Sequence, residues 1–456
     1  MNASRKQLLQ WDRDHLWHPF TQMSTYASEE PLIITHAHGC YLVDDQGNEY
    51  LDGTSSLWCN IHGHRHQALD QALCDQLDQV AHSTLLGLSH EPAIRLARKL
   101  TEIAPEGLSH VFFSDSGATA VEVALKMAFQ YWQQRSDPRP DKTKFVTLNG
   151  AYHGDTIGAV SVGGVDRFHN MFSPLLFDVH QAPQPHCYRC PLGLTREHCK
   201  MDCFLELDRI LEQHHNEIAA IILEPIVQGA SGMIVAPDGY LSQVRSLATQ
   251  YDTLLIADEV AVGFGRTGTM FACQHENVSP DLLCLGKGIT AGYLPLAATL
   301  ATDELFSAFL GTPSESKTFY HGHTYSGNPL ATAVALENLK LFEQKTFFSD
   351  LKEKAAVLKT SLKPLKSHPH IGDIRQKGLI VGIELIHCVE TNQAYCVSEQ
   401  MGVKVCQQAR EHGLLIRPLG DVLVLMPPLS MENEQIQHMC QIVHRSIDSI
   451  TSPTNA

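Results

Sequence analysis

The chain has no apolar run that approaches the roughly 20 residues of a membrane span. Its opening, MNASRKQLLQWDRDHLWHPF, also has no apolar core of the kind a secretion signal needs. Both absences point to a cytoplasmic protein. Positive charge is scarce too: 34 Lys and Arg stand against 50 Asp and Glu, a formal net charge of -16. A nucleic-acid or anionic-membrane partner needs a basic patch, which this balance does not supply, so small-molecule substrates are the expected partners. Nor is there a disulfide framework. The 13 cysteines are odd in number and scattered, as reduced thiols are. No internal repeat and no low-complexity linker interrupts the chain.

What is present fits an ordinary enzyme. A chain of 456 residues, 43% of them hydrophobic, can bury a large core and build one large domain plus a smaller one. Residues 1 to about 60 read as a short helix and a β-meander, with Tyr41-Leu42-Val43 and Glu49-Tyr50-Leu51 flanking a turn. Helical spacing covers 66–80 and 91–103. From Val111-Phe112-Phe113 onward, apolar strands at 145–148, 220–223, 254–257, 282–285 and 297–300 alternate with helices. That alternation implies a mainly parallel, doubly wound α/β sheet. After Asn328 a long helical tract runs to about Leu365, followed by strands at 378–384, 414–417 and 422–426 and helices at 402–411 and 432–450. The expected division is 1–65 as the N-terminal segment of a small α+β domain, 66–335 as the large domain and 336–456 as the rest of the small one.

The chemistry concentrates between Thr253 and Gly292. One apolar strand there closes on Asp258 and Glu259, and a second closes on Gly286-Lys287-Gly288, which places a carboxylate and an amine at the edge where open α/β sheets bind ligands. Partial desolvation lowers a lysine pKa and makes it a candidate Schiff-base nucleophile. Pyridoxal phosphate needs both groups: an acid that keeps its ring nitrogen protonated, and an amine that carries its aldehyde and moves the proton. Strand-end Asp and Lys are common in any α/β protein, so the pair alone favours the cofactor only weakly. Ser116-Gly117-Ala118-Thr119, at a strand-to-helix turn, is either a phosphate cradle or a plain N-cap.

These signals fall in one order with Tyr152-His153-Gly154-Asp155, Glu224-Pro225, Gln228 to Gly232, His321-Gly322-His323-Thr324 and Arg417-Pro418. Taken together the chain resembles the class III, fold-type I pyridoxal-phosphate-dependent aminotransferases from about residue 15 to 440. The resemblance implies that Lys287 carries the cofactor, that Asp258 pairs with its ring nitrogen, that Gly117 and Ala118 cradle its phosphate and that Tyr152 lies against its ring. It also implies a homodimer with active sites at the interface, where Gly322, His323 and Thr324 come from the other subunit and Thr324 binds the phosphate. Ping-pong transfer of the amino group follows from the same resemblance.

Within the class, 16–21 (LWHPFT), 52–58 (DGTSSLW), 61–64 (IHGH), 416–420 (IRPLG) and 425–428 (LMPP) are similar to the branch that aminates 8-amino-7-oxononanoate in biotin biosynthesis, with S-adenosylmethionine as the default donor. Phe20, Leu57, Trp58, Tyr152, Lys287, Gly322 and Arg417 are the substrate-binding residues this implies. Arg417 is expected to pair with a substrate carboxylate, which a guanidinium binds bidentately, and Gly229-Ala230-Ser231-Gly232 lacks the glutamate that masks the arginine in ornithine- and 4-aminobutyrate-type relatives. Phe20, Leu57 and Val424 stand where adenosylmethionine-using members typically have Tyr, Trp and Tyr. Lysine as donor, or a diamine or β-alanine:pyruvate ω-aminotransferase, are the alternatives.

Two histidine and cysteine groupings raise the question of a metal. His62, His64 and His66 alternate as a ligating strand face would, but no carboxylate or cysteine is expected to complete the set. Cys187, Cys190, Cys199 and Cys203 have the look of a zinc or iron–sulfur site, and equally of a loop holding reduced thiols. The functional reading assigns no metal.

Overall fold

The computed structural model describes residues 3–26 and 30–452. A helix, Arg5–His15, leads into a meander of β1 (Ile34–His38), β2 (Tyr41–Asp44) and β3 (Glu49–Asp52). The large sheet takes β4 (Leu108–Ser114), β5 (Lys144–Leu148), β6 (His180–Ala182) and β7 (Ile218–Leu223). A short ribbon of β8 (Val227–Gln228) and β9 (Ile234–Val235) follows, and the large sheet is then completed by β10 (Leu254–Asp258), β11 (Leu282–Leu285) and β12 (Ala297–Thr302). Its strand order is β4-β12-β11-β10-β7-β5-β6.

Pairings among β11, β10, β7, β5 and β6 are parallel, while β12 runs antiparallel to both of its neighbours. The strands β7, β10 and β11 are buried at every residue, because helices cover both faces of a parallel sheet. That is why IAAIIL and LLIAD read as continuous apolar runs. Their C-terminal ends, with Glu224 after β7, Asp258 closing β10 and Lys287 after β11, come out along one edge.

A second sheet takes β13 (Ile371–Lys377), β14 (Ile380–Leu385), β16 (Arg417–Leu419) and β17 (Val422–Leu425) in the order β13-β14-β17-β16. The two-residue β15 (Leu414–Leu415) leaves it to pair in parallel with β3, so the N-terminal meander and the C-terminal part pack as one body. One expectation needs correcting. The segment expected as one strand at 414–417 is two, because each half pairs with a different sheet. The tract after Asn328 is two helices, Pro329–Phe342 and Phe347–Ser361. The first runs past residue 335 and packs on the helices Gln67–Leu77 and Glu91–Ile103 of the large part, so we place the division after Phe342.

His62, His64 and His66 lie in no strand. Their side chains do not converge: His64 binds Asp52 at 3.0 Å, while the His62 and His66 rings stand 5.9 Å apart. A chain reversal around Gly63, whose φ is +86°, removes the alternation that a metal face required.

Candidate active site

A cavity of about 420 Å³ opens at the C-terminal strand edge, lined among others by Trp58, Gly117, Ala118, Tyr152, Asp258 and Lys287. The sequence placed these six together, and the fold brings them together. Lys287 sits in a left-handed conformation with φ +42° at the start of a 3-10 turn, Lys287–Thr290. The turn is held from outside by Asn338, whose buried amide donates to the carbonyls of Gly288 and Ile289, both at 2.9 Å. Among the described residues no hydrogen bond or ion pair takes up the Nζ of Lys287, which lies 5.5 Å from the centre of the Trp58 ring. Burial pushes this ammonium below the ordinary lysine value, with Asp258 and Glu224 opposing. The amine is thereby readied for attack on a carbonyl.

Asp258 is tied at both oxygens. One accepts the Val260 N–H at 3.0 Å, and the other accepts from His153 Nδ1 at 2.7 Å. His153 is buried and its Nε2 has no partner among the described residues. Sequence reasoning quoted His153 within a motif and assigned it no role, since nothing local says that a residue 105 positions from Asp258 will face it.

Glu224 was overlooked in the same way. It is buried and accepts the backbone N–H of Gly229 at 2.8 Å and of Tyr152 at 3.2 Å, which fixes Tyr152 at the cavity wall. The Tyr152 hydroxyl donates to Asp155 at 2.8 Å, and burial pushes its pKa up.

The helix Gly117–Gln134 begins with reciprocal capping between Ser116 and Thr119, leaving the first N–H groups facing the cavity. A Cβ at Gly117 would come within 2.4 Å of Val260 Cγ1, so only glycine lets the helix start approach this closely. The site is also shaped by strain. Ser55, Ser56 and Trp58 all have positive φ, and Asp52 stabilises the loop by accepting the Ser56 N–H at 2.9 and 2.8 Å. The loop conformation, costly for non-glycine residues, sets Trp58 against Lys287 and leaves its indole N–H buried without a partner among the described residues.

These features fit pyridoxal phosphate: an anion-binding helix start that a side chain would block, a tied carboxylate, a buried amine and unpaired polar atoms around one cavity. Ser116, Gly117 and Ala118 would hold the phosphate, Tyr152 the ring face, Asp258 the ring nitrogen and Lys287 the aldehyde carbon.

Phe20 and Arg417 line a neighbouring cavity of about 810 Å³ together with Phe168. The Arg417 guanidinium lies 6.0 Å from the Phe20 ring centre. Phe168 joins the two spaces, 5.5 Å from Phe20 and 6.2 Å from Tyr152, edge-on to both. Other expected residues are elsewhere in this chain. Leu57 is exposed and lines neither cavity. Gly322, His323 and Thr324 also stay outside the Lys287 cavity, with His323 bound to Asp115 at 3.0 Å.

Burial has a thermodynamic consequence. It raises the carboxyls of Glu224 and Glu259 from the ordinary 4.5 to about 7. The folded chain then keeps protons that the unfolded chain releases, so their contribution is fully present below about pH 4.5 and is lost as pH rises through about 7. Glu259 accepts the Ala272 and Cys273 N–H groups at 2.6 and 2.8 Å. Replacing it by Gln should flatten the fall of Tm between those two pH values, whatever it does to Tm itself. Calorimetry across that range checks this, and parallel curves for the two proteins would refute it.

Residues 23–447 match the Aminotransferase class-III family. An adenosylmethionine-8-amino-7-oxononanoate aminotransferase of Geobacter sulfurreducens is 51% identical over 97% of this chain and 98% of its own, and one of Aquifex aeolicus is 49% identical over 98% of each. The crystal structure of such an enzyme from Methanocaldococcus jannaschii superposes with a TM-score of 0.93 at 43% identity, covering 98% of this chain and 99% of that one. With its cavity built around Lys287 and Asp258, the chain belongs to the class-III aminotransferases, fold-type I enzymes that depend on pyridoxal phosphate.

Proposed function

We propose that the enzyme converts 8-amino-7-oxononanoate to 7,8-diaminononanoate in biotin biosynthesis, with S-adenosylmethionine as default donor. The observation that carries this reading is the aromatic passage from buried Lys287 past Tyr152, Phe168 and Phe20 to Arg417. An acceptor with a ketone at one end and a carboxylate at the other suits such a passage, and the names of the relatives from Geobacter sulfurreducens and Aquifex aeolicus agree with it.

Bound pyridoxal phosphate supplies an aldehyde that exchanges amino groups and a protonated ring that draws electrons from the carbon being deprotonated. The protein does the rest. The Nζ of Lys287, less basic through burial, takes the proton from the amine-bearing carbon of the donor and returns one to the ketone carbon of the acceptor. Asp258, held by His153 and the Val260 N–H, would pair with the ring nitrogen and favour its protonated form. Trp58 and Tyr152 keep water away from Lys287, and Arg417 fixes the carboxylate and so the distance at which the ketone arrives.

A second reading rests on Phe20, Leu57 and Val424, which lack the hydroxyls and the indole expected of adenosylmethionine users. Val424 is buried and pairs across the strands with Arg417. That reading makes lysine the donor. Supplying each donor with 8-amino-7-oxononanoate and measuring diaminononanoate by mass spectrometry decides between them, and no product from either would refute the proposal.

Arg417→Ala should lower kcat/KM for this acceptor about 10- to 100-fold, the worth of a charge-assisted pair. The methyl ester of the acceptor should be used equally by both enzymes. An unchanged ratio between acid and ester would remove Arg417 from this role.

A homodimer is part of the same proposal. Leu86, Leu88, Tyr320 and Tyr325 are all largely exposed. The two segments that carry them are neighbours, with the His82 and Tyr325 rings 4.8 Å apart. A patch of this kind supports an interface at which Gly322, His323 and Thr324 would reach the partner's cavity.

A further inference from the structure

Four cysteines that the transamination chemistry does not use converge on one cavity. Cys187, Cys190, Cys199 and Cys203 line a space of about 180 Å³ with His186, Arg196 and Met201, among others. Their spacing, C-x2-C-x8-C-x3-C, is that of paired ligands on a loop, with the last at the start of the helix Asp202–His214. Thiols scattered for packing would have no reason to meet in this way.

We propose that these four cysteines bind one zinc ion as a tetrathiolate, a structural centre that fixes a loop of the large part where it contacts the small part. The four residues meet the ligand count of a closed zinc site. No three of the four sulfurs lie within 4.8 Å of one another, whereas a tetrahedral site with Zn–S bonds of about 2.3 Å sets them about 3.8 Å apart. Binding therefore draws the loop inward. The segment can follow, since from residue 187 to Met201 it has turns and no regular element.

All four thiols must lose their protons to the solvent as zinc enters. The centre then carries a net charge of two minus, which Arg196 at the cavity wall offsets.

The loop's other contacts give the site its purpose. Arg189 pairs with Glu384 on β14, and the Tyr188 hydroxyl donates to Asn392. Just before the loop, the Gln184 amide donates to Ser231 Oγ at 2.8 Å. Glu384 also receives Arg375 at 2.7 Å, and Arg375 in turn donates to the Gly232 carbonyl at 2.7 Å. The thiolate loop thus locks the sheet that carries Arg417 to the segment that follows Glu224.

The test is elemental analysis of the full-length, tag-free holoenzyme after exposure to equimolar zinc and gel filtration. About one zinc per chain is expected, with cobalt replacement giving the intense long-wavelength visible bands of a tetrahedral thiolate site, clear of the cofactor's absorption. The double variant Cys187→Ser/Cys190→Ser should hold no zinc, Cys396→Ser should hold as much as the wild type, and chelation should lower the wild-type Tm. Wild-type protein that takes up no zinc, that contains iron with inorganic sulfide, or whose four thiols form disulfides by intact mass would overturn the assignment. Zinc that can be removed with no change in Tm or in proteolysis of the loop would overturn its structural role.

Discussion

Lys287→Ala should lose transamination by at least about 10⁴-fold, because one amine serves as both nucleophile and proton carrier. The expected loss is this large because the cavity offers no substitute. The other polar and aromatic side chains lining it, among them Asp258, Glu224, His153, Trp58 and Tyr152, include no second amine. Fold damage is separable from lost chemistry, since the turn is held by Asn338 through backbone carbonyls that the substitution leaves in place. The variant should therefore keep the wild-type circular dichroism, while borohydride no longer fixes the cofactor to the chain. Turnover within tenfold of the wild type would remove Lys287 from the mechanism.

The second large effect is expected at Asp258. An amide has no charge with which to hold a ring nitrogen protonated, so Asp258→Asn should slow both half-reactions by about 10²- to 10⁴-fold. Substrate binding through Arg417 should change little. His153→Ala should act in the same direction with a smaller loss. It leaves the carboxylate charged and frees one of its oxygens, now tied at 2.7 Å, and as a positioning effect it should also move the pH profile of the half-reaction. Stopped-flow measurement of the donor half-reaction reads both variants. A rate for Asp258→Asn within a few-fold of the wild type would sink the electron-sink role.

Periodicity found six of the seven strands of the large sheet, because strands covered on both faces must be apolar throughout and then stop at polar residues, and it missed the three-residue β6. Asp258 and Lys287 were legible for that reason. Each is the first chemistry-bearing residue after such a run. Arg417 was legible only through its motif, since a strand-edge arginine in an exposed stretch has no local mark of function. The split at β15 could not be read, because the partner strand of Leu414 and Leu415 lies in the N-terminal meander.

His153, Glu224 and Asn338 became functional candidates only in three dimensions. They lie 105, 72 and 51 residues from the groups they serve, Asp258, Tyr152 and Lys287 in turn, and chain distance carries no information about which side chains meet. Trp58 was named from a motif, but what turns it toward Lys287 is a run of positive φ angles at Ser55, Ser56 and Trp58. No residue preference would suggest that run.

By itself, then, the sequence determined the α/β class, the order of the strands along the chain, and the acid and the amine at their ends, since burial and turn chemistry act on neighbours. Only the tertiary structure decided which carboxylate would be tied by His153 and how the lysine turn is propped by Asn338. Those outcomes depend on the packing of segments far apart in the chain, where the hydrophobic drive to close the core, and not any local preference, sets the contacts.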